Sequence, residues 1–191
     1  AANINDDDIT ANKELIQGSR VFMTQLEQSL DAAGTALSFA KDGGAITILN
    51  PAPAQPLGEN ILKLCDFVTP NEIEAEQITG TPVKSINDAE IAAGKLLEKG
   101  ASAAVITLGE QGALFKDNNQ IIHQPSYEVG PVVETTGAGD AFNGGLAVAL
   151  AEEMPIDKAL RFACATASIS VTRQGTAPSM PNRHEIDTRI K

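Results

Sequence analysis

Short apolar runs alternate with amphipathic segments along this chain, and that alternation restricts the folds that it can adopt. It predicts strands at residues 21–24, 45–49, 67–69 and 103–108, and helices at 29–39, 61–64, 71–78 and 87–99. Strands that are joined through helices pair in parallel, and a parallel sheet needs helices on both faces. We therefore expect an α/β fold with three layers, α/β/α.

The later part of the chain departs from this alternation. Residues 112–116 and 120–124 flank the turn sequence Asp-Asn-Asn and predict an antiparallel hairpin at one edge of the mostly parallel sheet. Helices are expected at 137–153 and at 156–172. The second should be buried, because it carries small residues on all of its faces. The segment 50–56, with three prolines, predicts a stiff loop.

A glycine-rich stretch, ETTGAGDAFNGG at residues 134–145, follows a predicted strand at 131–133 and opens the helix at 137–153. Gly137, Ala138 and Gly139 are too small to block the approach of a ligand, and the first amides of a helix have no intrahelical partner. Such a helix start favours binding of a phosphate. Asp140, in the first turn, could accept the proton of a hydroxyl that attacks that phosphate.

The same residues also allow a purely structural interpretation. Thr135 or Thr136 could cap the helix, and Asp140 could complement its dipole. Gly144 and Gly145 lie deeper in the helix, where each costs about 1 kcal/mol relative to Ala. Two such residues indicate a close approach of another backbone.

Composition narrows the classes of partner. With 25 acidic and 14 basic residues, the net charge is -11, which disfavours nucleic acid as a partner. The two cysteines form no CxxC pair and the two histidines are isolated, so we expect a reduced, cytoplasmic protein without a zinc site.

No apolar run approaches the roughly 18 residues of a membrane span, and the start, AANINDDDIT, is acidic where a signal peptide would be basic. At 191 residues, one folding unit is expected over 1–191.

The stretch ETTGAGDAFNGG resembles the phosphoryl-transfer signature of the ribokinase-like family of sugar kinases. MTQLE, LNPAPA, TPNEIEAEQITG and SVTRQGTAPSMP extend that resemblance over residues 23–191. It implies a Rossmann-like fold and a chain that corresponds to the C-terminal portion of a family member. Roughly the first third, with its first strands, its dimerising lid and its sugar clamp, would then be absent, and this chain alone would be inactive. The full-length protein would be a homodimer through that lid.

The activity that the resemblance implies is transfer of the γ-phosphoryl group of ATP to the 5-hydroxyl of D-ribose. Asp140 would be the base, and Gly137, Ala138 and Gly139 would form the anion hole. Two alternatives stay open. One is a relative of the fructokinase, adenosine kinase or tagatose-phosphate kinase type. The other is a truncated nucleotide-binding module without catalytic activity.

Further site residues follow from the resemblance. Asn71 and Glu74 would orient Mg²⁺ and the nucleotide phosphates, although the NxxE spacing is also that of a helix capping box. Glu27 would lie near the sugar, or is a surface acid. Cys164 would lie near the adenine. The nucleotide-contacting loop would comprise Thr107, Leu108, Gly109, Glu110, Gln111 and Gly112, which otherwise predict a turn with positive φ at both glycines.

A monovalent cation site, for K⁺, is implied beside the anion hole. Its residues would be Glu134, Thr136, Ser170, Arg173, Gly175 and Ser179. Family members usually have Asp at the position of Glu134, and the extra methylene changes the reach of the carboxylate. Gly175 could alternatively end the preceding helix. Glu27, Asn71, Gly109 and Gly137 each follow a predicted strand, so four loops should converge at one edge of the sheet.

Overall fold

The computed structural model describes residues 4–191, so residues 1–3 of the predicted folding unit lie outside it. The chain divides into two compact units. The first comprises the chain up to Ile106 together with Leu114–Ile121, and the second comprises Thr107–Ala113 together with Ile122–Lys191. The prediction of one folding unit stays a prediction.

A six-stranded sheet runs through the chain, and its strands are ordered in space as they are in sequence. They are β1 (Val21–Thr24), β2 (Ile46–Leu49), β3 (Phe67–Val68), β4 (Ala103–Thr107), β5 (Ala113–Lys116) and β6 (Ile121–Gln124). The first four pair in parallel, with Val21 opposite Ile46, Ile48 opposite Phe67, and Phe67 opposite Ala103. The mostly parallel sheet with an antiparallel pair confirms the predicted fold class.

Within the described residues, the first unit contains six helices. They are α1 (Asp6–Ala11), α2 (Lys13–Gln17), α3 (Leu30–Asp42), α4 (Glu59–Leu62), α5 (Glu72–Thr79) and α6 (Ile86–Glu98). Ser29 and Ser85 cap α3 and α6 through their side chains, as polar residues do before an apolar-periodic segment. The two short helices α1 and α2 are additions to the sequence prediction. Helix α1 begins with an Asn5 capping box and has no buried residue, so its sequence lacks the apolar stripe by which a helix is recognised.

The core of the first unit lies on the central strands. Ile48, Leu49, Val105 and Ile106 are fully buried because helices cover the parallel strands on both faces. Each such side chain contributes about 1.5–3 kcal/mol relative to an exposed position. Leu96 of α6 is also fully buried, among alanines that let the helix lie close to its neighbours.

The second unit contains α7 (Ala138–Ala151), α8 (Ile156–Ser170) and α9 (Arg183–Arg189), with short 3₁₀ turns at Gly109–Gln111 and Ala177–Ser179. Helix α8 is buried on most sides, as its small residues predict, and Leu160 and Phe162 fill the space around it. Helices α7 and α8 pack against each other. Helix α8 therefore forms the support on which the remaining segments of this unit lie.

Two sequence expectations at this unit's loops are wrong. Residues 131–133 are irregular, and Val132 and Val133 are 65% and 53% exposed. Their backbone does not join the sheet because Pro131 has no N–H and the amide of Val133 donates to the carbonyl at the end of α8, Val171 O, at 2.8 Å. Helix α8 also ends at Ser170, with Val171 as its C-cap, and not at Gly175.

Among the helices of residues 4–191, none combines the length and apolar character needed to cross a bilayer.

Candidate nucleotide and phosphoryl-transfer site

The start of α7 is open to a ligand. Gly137 is its N-cap in the left-handed conformation, with φ of 82°, and no side chain caps the helix. Thr135 and Thr136 therefore do not have the capping role that the structural interpretation gave them. Gly139 has no neighbouring atom within 4 Å of the position that a Cβ would take, so space remains beside the backbone of the first turn.

The first amides of α7 are not equivalent. Ala138 N donates to Thr135 O at 3.1 Å, so an anion would meet the amide of Gly139 before that of Ala138. Asp140 lies in the first turn and is exposed. The arrangement places a carboxylate within one turn of the amides that could hold a phosphate.

Asn143 is a member of this site that the sequence reasoning did not assign. Its side chain is 2% exposed, and its Nδ2 donates to Gly139 O at 3.0 Å. Because the buried side-chain amide of Asn143 donates to the carbonyl four residues earlier, it fixes the orientation of the first turn of α7. A polar residue at a core-facing position of the predicted helix was the available signal.

The two glycines deeper in α7 differ. A Cβ at Gly145 would lie 2.8 Å from Thr166 Oγ1 and 3.0 Å from Ala163 Cα of α8, whereas a Cβ at Gly144 would meet nothing within 4 Å. The predicted close approach of a backbone is therefore confirmed for Gly145 and wrong for Gly144.

The loop Thr107–Gly112 has the tight, glycine-dependent shape that its sequence predicts. Gly109 and Gly112 have φ of 51° and 91°. A Cβ at Gly112 would lie 2.1 Å from Gln124 O, so only glycine fits against the following segment. Leu108 N donates to Gly112 O at 2.8 Å and closes the loop.

Residues 123–127 connect that loop to α8. His123 Nε2 lies 2.7 Å from Gln111 O, and Ser126 Oγ donates to Glu110 O, so two side chains hold the loop. On the other side Tyr127 N donates to Ser168 Oγ of α8 at 3.0 Å. The predicted nucleotide loop and α8 are therefore joined through one short stretch of backbone.

Cys164 lies on this same side of α8, with its Sγ 3.8 Å from Gln124 O. The structure thus brings Cys164 to the segment that supports the loop Thr107–Gly112. Burial raises the pKa of the Cys164 thiol to about 12, so the group is neutral at physiological pH. It can provide a small apolar surface there, and it is unsuited to act as a nucleophile.

The predicted cation-site residues lie on two loops of the second unit, except Ser170, which is the last residue of α8. Glu134 Oε2 accepts a hydrogen bond from Gly175 N at 2.8 Å, so its carboxylate reaches the second loop directly. Ser170 Oγ and Ser179 Oγ donate to Ala167 O and Thr176 O and retain lone pairs. Arg173 forms an ion pair with Glu185 and can contribute only its carbonyl to a cation. Thr136 is exposed.

These groups fit a hard monovalent cation by donor type, because carboxylate, hydroxyl and carbonyl oxygens are the ligands that such ions prefer. Residues 4–191 contain no cluster of three or more His, Cys, Asp or Glu side chains that could hold a metal ion.

Asn71 and Glu74, in the first unit, form the capping box of α5. Asn71 Oδ1 accepts from Glu74 N at 2.9 Å, and Glu74 Oε2 accepts from Asn71 N at 2.8 Å. Burial raises the pKa of Glu74, and Glu72 raises it further, while the Asn71 amide opposes the shift. The structural role of the pair is therefore confirmed. The capping box uses Oε2 of Glu74 and not Oε1.

Glu27 is exposed in the loop after β1. Asn50 links the loops that follow β1 and β3. It was assigned no role from the sequence alone. Asn50 is 8% exposed, accepts from Gln25 Nε2 at 2.9 Å and donates to Thr69 O at 2.8 Å. It thereby ties together the loops that carry Glu27 and Asn71. Convergence of these loops with the start of α7 stays a prediction.

Residues 2–183 match the model of the pfkB family of carbohydrate kinases. The chain belongs to this family. Its signature, Gly137 to Asp140 at the start of α7, and its α/β sheet agree with that assignment.

Three relatives illustrate the similarity. Ribokinase of Haemophilus influenzae is 42% identical over 172 residues, which are 89% of this chain and 55% of that protein. Deoxyribokinase of Salmonella typhi is 36% identical over 180 residues, 94% of this chain and 58% of that protein. The structure of Arabidopsis thaliana ribokinase with ribose and ATP matches at a TM-score of 0.91 and 29% identity, covering 100% of this chain and 61% of that one. The chain thus spans little more than half the length of these relatives.

Proposed function

We propose that this chain carries the nucleotide-binding and catalytic part of an ATP-dependent sugar kinase that phosphorylates the 5-hydroxyl of D-ribose. The observation that carries the proposal is the uncapped start of α7, with open space at Gly139 and a carboxylate, Asp140, in its first turn. The 42% identity to a ribokinase supports ribose as the acceptor.

In the proposed reaction, the amide of Gly139 and the positive end of α7 stabilise charge on the transferred phosphoryl group. Asp140 takes the proton of the sugar hydroxyl as its oxygen forms the new bond to phosphorus, and the bond from the γ-phosphorus to the β–γ bridging oxygen breaks to release ADP. Asn143 keeps the first turn in place through Gly139 O.

The adenosine part of ATP would lie against the loop Thr107–Gly112. Gly112 shapes that loop, and Cys164 offers a neutral, buried surface on the same side of α8. Asn71 and Glu74 would orient the phosphates together with Mg²⁺, which neutralises phosphate charge when it is bound. Glu134, Thr136, Ser170, Arg173, Gly175 and Ser179 would surround a monovalent cation such as K⁺. Glu27 would contact the sugar.

We propose 2-deoxyribose as a second candidate acceptor beside ribose, because a deoxyribokinase is 36% identical over 94% of this chain. The two sugars differ by the 2-hydroxyl alone. A cytoplasmic location and a homodimeric full-length protein remain predictions.

The proposal is tested with Asp140→Asn in the full-length protein. We expect kcat to fall at least about 100-fold while the dissociation constant for ATP changes by no more than a few fold, because a general base acts in the transition state. Asp157→Asn is the matched control, since Asp157 is also exposed in the first turn of a helix, α8. Turnover is followed by ADP release with ribose, 2-deoxyribose, fructose and adenosine.

Near wild-type turnover in Asp140→Asn would remove Asp140 from the mechanism. Tight ATP binding without turnover on any of the four acceptors would instead favour a nucleotide-binding module without catalytic activity. Turnover that is greater with 2-deoxyribose than with ribose would reassign the acceptor.

A further inference from the structure

Two loops of the second unit are bonded to each other beside the start of α7. We call residues 131–137 the leading loop and residues 171–179 the return loop. Val133 N and Glu134 N both donate to Val171 O, at 2.8 and 3.2 Å. Gly175 N donates to Glu134 Oε2 at 2.8 Å. Glu134 is thus attached to the return loop through its backbone and through its side chain.

The side-chain bond spans the longer distance along the chain. Val171 directly follows α8, whereas Gly175 lies four residues further on, in the middle of the return loop. A carboxylate that accepts an amide N–H makes a charge-assisted bond, which is shorter and stronger than a neutral one. Glu134 is partly buried, so water competes less for this bond than at an exposed position.

The return loop in turn supports Gly137, the N-cap of α7. A Cβ at Gly137 would lie 3.2 Å from Thr176 Cβ and from Thr176 Cγ2. Thr176 is the neighbour of Gly175, whose amide Glu134 holds. The position of the return loop therefore sets the space in which Gly137 turns into the helix.

From these contacts we infer that Glu134 is a positioning residue, a carboxylate latch that fixes the return loop against the start of α7 through its direct bond to Gly175 N–H. A cation bound beside it would find one carboxylate oxygen already used by Gly175 N–H. The consequence for catalysis rests on the proposed function, whereas the latch itself is a property of the chain without ligands.

The length of the side chain is decisive for this latch. Glu134→Asp removes one carbon–carbon bond of about 1.5 Å, which moves the carboxylate from 2.8 Å to beyond hydrogen-bonding distance of Gly175 N. Glu134→Gln keeps the length and an acceptor oxygen and removes the charge. The two variants therefore separate reach from charge.

The test is amide hydrogen exchange on the 191-residue chain without nucleotide, in potassium chloride and in tetramethylammonium chloride at equal ionic strength. We expect wild-type Gly175 N–H to be protected equally in both salts. Its protection should fall about tenfold or more in Glu134→Asp and only a few fold in Glu134→Gln. Glu128→Asp and Glu128→Gln are the controls, because Glu128 is exposed and its bond to Arg189 uses its backbone carbonyl.

Three results would overturn the inference. They are unprotected Gly175 in the wild type, protection in the wild type that requires potassium, and full protection in Glu134→Asp. The salt comparison uses the wild type alone, so it remains decisive if a variant does not fold. ATP binding is measured separately on the same samples. Loss of ATP binding with an intact latch would contradict the proposed function only.

Discussion

Gly144 and Gly145 are adjacent in α7 and yet should respond in opposite directions to replacement by Ala. Both lie in the interior of the helix, where Ala is favoured over Gly by about 1 kcal/mol. The Cβ of Gly144→Ala would enter open space. The Cβ of Gly145→Ala would lie 2.8 Å from Thr166 Oγ1 and 3.0 Å from Ala163 Cα.

The overlap at Gly145 cannot be relieved cheaply. Ala163 Cα is backbone, and Thr166 Oγ1 is held by its bond to Phe162 O at 2.7 Å, so α7 and α8 would have to separate. Overpacking of this kind costs typically 1–3 kcal/mol, and the upper value of about 3 kcal/mol suits a contact with helix backbone. After subtraction of the helix-propensity gain of about 1 kcal/mol, we expect Gly145→Ala to lose about 2 kcal/mol. Gly144→Ala should gain up to about 1 kcal/mol.

The measurement is urea unfolding of the 191-residue chain without nucleotide, followed by circular dichroism. With a slope of about 2 kcal/mol/M, a difference of about 3 kcal/mol separates the two midpoints by about 1.5 M. Unchanged slopes would assign the effect to the folded state. Midpoints that shift in the same direction by similar amounts would refute the argument that the approach of α8 is what requires glycine at position 145.

Two further predictions concern the second unit. Gly112→Ala should destabilise the chain by at least about 2 kcal/mol and weaken ATP binding, because a positive φ and an overlap with Gln124 O act together. Gly94→Ala is the control in the same unfolding and binding assays, because the nearest atom outside its own helix would lie 3.9 Å from its Cβ. Arg173 lowers the pKa of Glu185 from 4.5, so the stability from this pair is present above pH 4.5 and is lost as the pH falls through the lower folded-state pKa. Glu185→Gln should therefore flatten the loss of stability on acidification, as measured by unfolding at a series of pH values, and an unchanged pH profile would contradict this.

Local sequence patterns account for much of the fold. The Asn71–Glu74 capping box is formed as its spacing predicts, because it depends on residues within about one helical turn. The alternation of apolar runs likewise located the parallel strands β1 to β4. Residues 131–133 show the limit, since their apolar character matches a strand and their amides nevertheless pair with the end of α8.

The candidate site divides in the same way. The sequence alone identified the glycine-rich start of α7, the placement of Asp140 in its first turn and the shape of the loop Thr107–Gly112, because each is a property of a short, contiguous segment. The tertiary structure alone distinguished Gly145 from Gly144, placed Cys164 on the segment that supports the nucleotide loop, and joined Glu134 to Gly175. These are contacts between segments that are distant in the chain, and they depend on how α8 packs against its neighbours, which no local pattern encodes.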